Sequence, residues 1–379
     1  MNPKIMIVGG DYTSDRFGSA LAQALLEKCP LASLFGIGGP LMNAAGVELS
    51  YDISEMVSLG VFQSIKGAHI VKRLIKRVAE AIDQKQPDLV LQIGLPVFGL
   101  RLLEIVQTKD IPVLYYYTPF SRGFLNVKPG DFAKVVTKVA GISRFETDLC
   151  QEAGIEAEFV GHPLLDLVQV PARKNRRKTK GGSRNSSIIG ILPGSREVEV
   201  KNVLPTVLKS LEQLRKKDPN IETVIFMPPS IDGDFAEKTL KQGLDHGFRL
   251  ERETCRALEN ADLAVTSIGT CSLEASLAGI PSLAVYKVPS TTYFIDKLLN
   301  RKPYMTITNN ILRKTVIPEY IQSDLSHARL AEAIWDLLHN EQAQQAMLAE
   351  FTCLPRELGG KGSIGRAADL ILEMAGCAK

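Results

Sequence analysis

The sequence predicts an α/β protein made of two Rossmann-like domains, each built on a parallel sheet. Three observations lead there. Short apolar runs alternate with longer stretches whose apolar residues recur at helical spacing, the pattern of strands joined by helical crossovers. The chain has 379 residues, too many for one ordinary core and suited to two domains of about 150–200 residues. A basic segment rich in Gly and Ser, residues 171–187, separates two such α/β stretches.

The elements follow in order. Residues 5–8 (IMIV) form a first strand, and 17–28 a helix with an apolar stripe. Residues 34–37 form a second strand, stopped by Gly38-Gly39-Pro40. Residues 70–84 alternate Lys and Arg with aliphatics at helical spacing until Pro87 interrupts. The runs 89–93 and 113–117 are apolar throughout or nearly so, as strands buried on both faces are. Segments 135–142 and 157–160 complete the first half. Beyond the basic segment, strands are expected at 188–192, 223–227, 263–266 and 282–286. Helices are expected near 235–244 and at 273–278, 329–338, 341–351 and 363–375. The implied organisation is a first domain over 1–170, a linker over 171–187 and a second domain over 188–345. Helices over 346–379 would return to the first domain. Two such domains facing across a cleft offer a common setting for a ligand.

Composition narrows the function classes. No apolar run reaches the length of about 18–20 residues that spans a bilayer, and residues 1–8 read as a strand entry and not as a signal peptide. A cytoplasmic protein, or one docked on a membrane from that side, is the expectation. The six cysteines (29, 150, 255, 271, 353 and 377) are scattered without a C-x-x-C pair, and the five histidines show no ligand spacing, so neither a disulfide framework nor a metal is expected. The net charge is +3, yet seven Lys and Arg fall in 171–187 without one acid, leaving the remainder net negative. A solvated linker explains that run better than a nucleic-acid partner, which calls for basic folded surfaces as well.

Two turns carry chemistry. Leu192-Pro193-Gly194-Ser195-Arg196 follows the first strand of the second domain and precedes apolar residues at near-helical spacing, Val198 and Val203. A strand ending in Gly-Ser before a helix directs backbone N–H groups at a common point and favours an anion there, and Arg196 adds a bidentate hold on phosphate oxygens. A plain strand–turn–helix with a surface arginine fits the same residues. The second turn, Ser267-Ile268-Gly269-Thr270-Cys271-Ser272-Leu273-Glu274, again follows an apolar strand. Gly269 admits close backbone approach, Thr270 or Ser272 can cap the helix, and Glu274 can accept hydrogen bonds from a ribose. The plainer reading makes Glu274 a capping or dipole-compensating acid. Asp232-Gly233-Asp234 matches an Asp-x-Asp metal motif, although solvated turn acids explain it better.

These motifs acquire a common context. Gly-Ile-Gly-Gly-Pro (36–40), Phe-Val-Gly-His-Pro-Leu (159–164), Leu-Pro-Gly-Ser-Arg (192–196), Gly-Thr-x-x-Leu-Glu (269–274), Tyr-Lys-Val (286–288), Asn-Ile-Leu (310–312) and Glu-Tyr-Ile-Gln (319–322) occur in this order along the chain. In that order and at similar intervals they resemble the lipid-A-disaccharide synthase family over about residues 5–340. The resemblance implies a GT-B glycosyltransferase that needs no metal or other cofactor. It implies transfer from UDP-2,3-diacylglucosamine to the lipid acceptor 2,3-diacylglucosamine 1-phosphate, with inversion. By the same resemblance Ser195, Arg196, Gly269, Thr270, Glu274 and Asn310 would surround UDP, with Glu319 and Gln322 close to the donor, and His162 would sit in a strand-end turn near an interdomain hinge. A UDP-sugar transferase with another acceptor, and a paralogue that binds without turnover, stay open. An epimerase acting on UDP-GlcNAc shares the fold form, but the collinear motifs do not match it.

The first domain departs from the family. Where the family has Gly-Ile-Asp-Ala-Pro-Asp-Phe-Asn, this chain has Gln92-Ile93-Gly94-Leu95-Pro96-Val97-Phe98-Gly99, without either acid. The family's Ser-Pro-Ser-Val-Trp-Ala-Trp-Arg becomes 118–125 (TPFSRGFL), and the only tryptophan is Trp335. The family's Gly-Glu-Ala-Ser-Gly-Asp turn becomes Gly10-Asp11-Tyr12-Thr13-Ser14-Asp15, which makes Asp11 and Asp15 the candidates for the base an inverting transferase requires. Asp15 also suits the N-cap of a helix over 16–28. Finally, the run from Val57 to Ile65 (VSLGVFQSI) with Lys66, His69, Lys72, Arg73, Lys76 and Arg77 after it suits a membrane-surface contact. A core-facing helix with a solvated basic side suits it equally. A homodimer stays open.

Overall fold

The computed structural model describes residues 2–53, 65–94, 96–117, 129–168, 186–228, 231, 248–287 and 304–377. The chain divides into two compact units, Met1–Asp166 with Arg356–Lys379, and Leu167–Pro355. The first unit holds strands β1 (Lys4–Val8), β2 (Ser33–Gly38), β3 (Glu48–Asp52), β4 (Leu89–Ile93), β5 (Val113–Tyr116), β6 (Lys138–Gly141) and β7 (Ala157–Phe159). They form one parallel sheet in the order β3-β2-β1-β4-β5-β6-β7. Its helices are α1 (Tyr12–Lys28), α2 (Pro40–Ala44), α3 (Ile65–Lys85), α4 (Pro96–Gln107), α5 (Pro129–Val135), α6 (Arg144–Glu152) and, at the unit's edge, α7 (Leu164–Leu167).

The second unit repeats the plan with β8 (Ser187–Leu192), β9 (Ile221–Phe226), β10 (Phe248–Glu251), β11 (Leu263–Thr266), β12 (Ser282–Tyr286) and β13 (Glu319–Ile321), parallel in the order β10-β9-β8-β11-β12-β13. Among the described residues its helices are α8 (Glu197–Lys217), α9 (Thr254–Leu258), α10 (Thr270–Leu277), α11 (Ile307–Leu312), α12 (His327–His339) and α13 (Glu341–Phe351). Then α14 (Leu354–Glu357) straddles the boundary, and α15 (Ser363–Met374) belongs to the first unit. In each sheet the strand order reverses beside the first strand, at β1/β4 and at β8/β11. These reversals are the positions where open α/β sheets take ligands, outside the carboxyl ends of the strands.

The central strands read as unbroken apolar runs because both faces are covered: β4 is buried at all five residues. Helix α1 buries Phe17, Leu21 and Leu25, one residue per turn, and α8 does the same with Val200, Val203, Leu204, Val207, Leu211 and Leu214. The C-terminal return is fixed by polar contacts as well as packing. Helix α15 lies on α1, Lys28 Nζ donates to Asp369 Oδ1 at 2.6 Å, and the Asp166 carboxylate accepts from Gly362 N, Ser363 Oγ and Ile364 N. Asp166 thereby caps a helix whose own N-cap, Gly362, has no side chain to offer.

Several sequence expectations shift. The first helix begins at Tyr12 and not near residue 16, and its N-cap is Asp11 instead of Asp15. Asp11 and Ser14 form a reciprocal capping box, each side chain accepting from the other's backbone N–H. Segment 135–142 is not one strand but the end of α5 followed by β6, and the helix expected from residue 273 starts at Thr270. The basic run 171–185, the helix near 235–244, Asp232 to Asp234, the substituted family turn 118–125, Leu95 and residues 57–64 of the apolar run lie outside the described residues. No helix among the described residues is long and apolar enough to cross a membrane.

Candidate functional site

In the second unit, Leu192 at the end of β8 stands level with Thr266 at the end of β11. Ser267 N continues the ladder by donating to Leu192 O at 2.8 Å. The two turns singled out in the sequence therefore lie side by side at the strand-order reversal. The first leads into α8 with Arg196 as N-cap and the second into α10 with Gly269 as N-cap, and neither cap offers a side-chain acceptor to its helix. The first N–H groups of a helix lack intrahelical partners, and the aligned peptide dipoles leave about half a positive charge at that end. Two such ends, adjacent and uncapped by side chains, make a place for an anion. Ser195 is half-buried in the first turn. The Arg196 side chain is about half exposed (48%), with Nη1 3.4 Å from Glu199 Oε1. A long, partly exposed pair of this kind contributes about 1 kcal/mol or less.

The glycines of the two turns differ in a way that bears on ligand binding. Gly194 has φ +138°, and a Cβ there would strike Glu199 Oε2 at 2.6 Å, so the fold itself requires glycine. Gly269 has φ −79°, and a Cβ there would meet nothing within 4 Å. The fold does not require glycine at 269, whereas a phosphate resting on the helix end would. Gly269→Ala is accordingly expected to melt within about 1 °C of the parent, since surface changes of this kind stay within about ±0.5 kcal/mol, and to bind UDP about tenfold more weakly by calorimetry.

Around this centre the candidate residues take distinct parts. Thr270 is the first residue of α10 and buried. Ser272 does not cap: its Oγ donates to Gly269 O at 2.8 Å, so it is turned along the helix and away from the N–H groups. Glu274 is buried on the second turn, with Oε2 accepting from Thr254 Oγ1 on α9. Thr254 carried no signal in the sequence, because the contact joins residues 20 apart. Asn310 donates its amide to Tyr304 O and Thr306 O, bracing the start of α11. Glu319 is more heavily engaged. Its carboxylate accepts from Met305 N, Thr306 N, Thr306 Oγ1 and Asn309 Nδ2, which makes it the anchor of the α11 N-terminus. Asn309, overlooked beside Asn310, is fully buried and also bonds Ile317 O, Val316 N and Ile317 N. The spacing of Thr306 and Asn309, an N-cap and its N3 partner, was the available signal. Ile307 N donates to Ile268 O, so this anchored helix leans directly on the Gly269 turn. Gln322 follows β13, half-buried with φ +53°, one residue past the end of the ladder with Tyr286.

In the first unit, Asp11 and Asp15 occupy the corresponding reversal. Asp11 accepts from Ser14 N and Ser14 Oγ at the α1 cap and is half-buried. Asp15 is 2% exposed, and its two oxygens accept from Gly39 N, Leu41 N and Met42 N at the start of α2. Burial raises its pKa despite those donors. Gln92, where the family has glycine, is fully buried at the level of Val8 and donates to Gly94 O. Among the described residues no three His, Cys, Asp or Glu side chains gather where a metal ion would sit.

His162 is fully enclosed behind this region. Its ring meets Phe17 edge-on at 6.1 Å, and Nδ1 accepts from Leu164 N. Burial lowers its pKa from 6.5 to about 3. Between those values the unfolded chain binds a proton that the native protein does not, so stability falls as pH drops from 6.5 toward 3. From pH 6.5 to 4.5 this one group should remove about 2–3 kcal/mol. Urea unfolding should show a shallower acid loss for His162→Asn, whose amide oxygen can still accept the Leu164 N–H.

Comparison with known proteins gives this geometry a setting. The family model for lipid-A-disaccharide synthetase matches residues 5–360. A lipid-A-disaccharide synthase from Geobacter sulfurreducens is 32% identical over 375 residues, covering 98% of this chain and 97% of that protein. Among solved structures, the S. aureus MnaA–UDP co-structure superposes with a TM-score of 0.67 at 13% identity, covering 99% of this chain and 98% of that one. MurG from Acinetobacter baumannii superposes at 0.55 with 15% identity, covering 98% and 99%. At such identities the structural matches speak for the fold alone, which is that of the GT-B glycosyltransferases.

Proposed function

The chain belongs to the lipid-A-disaccharide synthetase family, and from that premise we propose that it transfers 2,3-diacylglucosamine from UDP to 2,3-diacylglucosamine 1-phosphate with inversion. The single observation that carries the donor half of this reading is the adjacency of the α8 and α10 N-termini at β8/β11, neither capped by a side chain. In the transfer, an acceptor hydroxyl attacks the anomeric carbon of the donor and the bond from that carbon to the β-phosphate breaks. The electron pair leaves with UDP, so negative charge grows on the diphosphate. Donors already aimed at that charge stabilise the transition state more than the ground state. Arg196 and the two helix ends are such donors. Glu274, held by Thr254, is suited to the ribose hydroxyls, and Asn310, Glu319 and Gln322 support the wall on which the donor lies.

The acceptor proton needs a base. Of the two candidates, Asp15 has both oxygens engaged by the α2 N-terminus and is almost fully buried, which suits a positioning role. Asp11, half-buried at the N-cap of α1, is the better base. Binding without turnover is the second reading, favoured by the lack of an acid at Gly94 and Val97. An assay with UDP-2,3-diacylglucosamine and 2,3-diacylglucosamine 1-phosphate decides between them: disaccharide and UDP from the parent protein support transfer, and donor binding without product supports the second reading.

A lipid acceptor brings the enzyme to a membrane surface. The basic side of α3 supports such contact through Arg73 and Lys76, both exposed. Flotation on vesicles containing anionic lipid, released by high salt, is the expected result. Equal recovery with neutral vesicles would remove the electrostatic part of the contact.

A further inference from the structure

We propose that Cys29 and Cys377 form a reversible dithiol–disulfide site which a hydroperoxide oxidises, clamping the C-terminal helix α15 to α1. The six cysteines are all reduced thiols, but they differ in setting. Cys150 and Cys271 are buried, whereas Cys255 and Cys353 are exposed. Cys29 and Cys377 are each half-exposed, and they touch one another: the side chains are hydrogen-bonded. They come from opposite ends of the sequence and meet because the fold brings two helix ends together. Cys29 is the C-cap of α1, its N–H donating to Leu25 O. After α15 the chain turns at Gly376, with φ +79°, and Cys377 N donates back to Leu372 O at 2.9 Å. The packing of α15 on α1 and the bonds from Lys28 Nζ to Asp369 Oδ1 and Gly365 O hold the two ends in this relation.

Thiols already in contact reach the S–S bond length of ~2.05 Å with small side-chain rotations. Burial and the neighbouring Cys29 thiol raise the Cys377 pKa, which makes Cys377 the poorer first nucleophile toward a peroxide and leaves that first step to Cys29. The chemistry balances with a hydroperoxide as two-electron oxidant. The Cys29 sulfur attacks the peroxide, the O–O bond breaks, and an alcohol (or water, from hydrogen peroxide) leaves as Cys29 becomes a sulfenic acid. The Cys377 sulfur then attacks that sulfur, the S–O bond breaks, and water leaves as the disulfide forms. A dithiol such as dithiothreitol reverses the step by exchange.

The test uses the full chain, treated with a small excess of hydrogen peroxide, blocked with N-ethylmaleimide, digested and mapped by mass spectrometry. The expected product is one peptide pair joining Cys29 to Cys377, lighter by two hydrogens and lost on reduction. It should persist in the Cys255→Ser, Cys353→Ser double variant and vanish in Cys29→Ser and in Cys377→Ser. The oxidised form should melt about 5 °C or more higher, because a cross-link between residues so far apart in sequence restricts the unfolded chain. Recovery of Cys29 and Cys377 on separate peptides from folded protein, blocked or over-oxidised, would overturn the proposal. So would a linkage that joins two chains, seen as a dimer on a non-reducing gel.

Discussion

Arg196→Ala is expected to lower kcat/KM for disaccharide formation by about 10²–10³, the loss typical of deleting one preorganised donor to a developing anion. The same change should weaken UDP binding at least about tenfold, since an arginine–phosphate contact is charge-assisted and bidentate. The structure makes the experiment clean. Arg196 caps α8 through its backbone, its side chain makes no capping bond, and about half of that side chain is exposed. Its ion pair with Glu199 is long, 3.4 Å, and partly exposed, so the variant should keep the parent's thermal midpoint within about 1–2 °C. Undiminished product from this variant would remove the guanidinium from the donor site.

Asp11→Asn tests the acceptor side and carries the other large effect. Asparagine caps a helix about as well as aspartate. The bond from Ser14 N can therefore survive, with α1 left in place. What is lost is basicity, and a positioned general base contributes about 10²–10⁴ in rate. The loss should appear in kcat, with the KM for the donor nearly unchanged. Activity within twofold of the parent would reduce Asp11 to a capping residue and shift attention to residues outside 10–15.

The pattern of apolar runs made the central architecture legible, because β1, β4, β8 and β11 are covered on both faces and need continuous hydrophobic sequence. The strands it missed lie at sheet edges. In β3 only Tyr51 is buried, in β10 only Phe248, and in β13 no residue is fully buried. A strand covered on one side, or hardly at all, has no run to read. The two glycine turns were legible for the same reason as the strands that precede them: each closes an apolar run and opens a helix. Their adjacency rests on a long-range pairing, Ile189–Leu192 of β8 against Leu263–Thr266 of β11. Side-chain commitments were harder still. The resemblance places Glu319 close to the donor, and only the fold shows that its bonds run to residues 305, 306 and 309, a loop-and-helix start. Asp15 likewise spends its oxygens on residues 39–42.

The central claim is that the neighbouring starts of α8 and α10 grip a nucleotide diphosphate, and titration calorimetry with UDP addresses it most directly. Binding at sub-millimolar UDP is predicted for the parent, weakened in Arg196→Ala and in Gly269→Ala while both variants melt like the parent. Absence of binding heat from parent protein at millimolar UDP, or equal affinity in all three proteins, would contradict it.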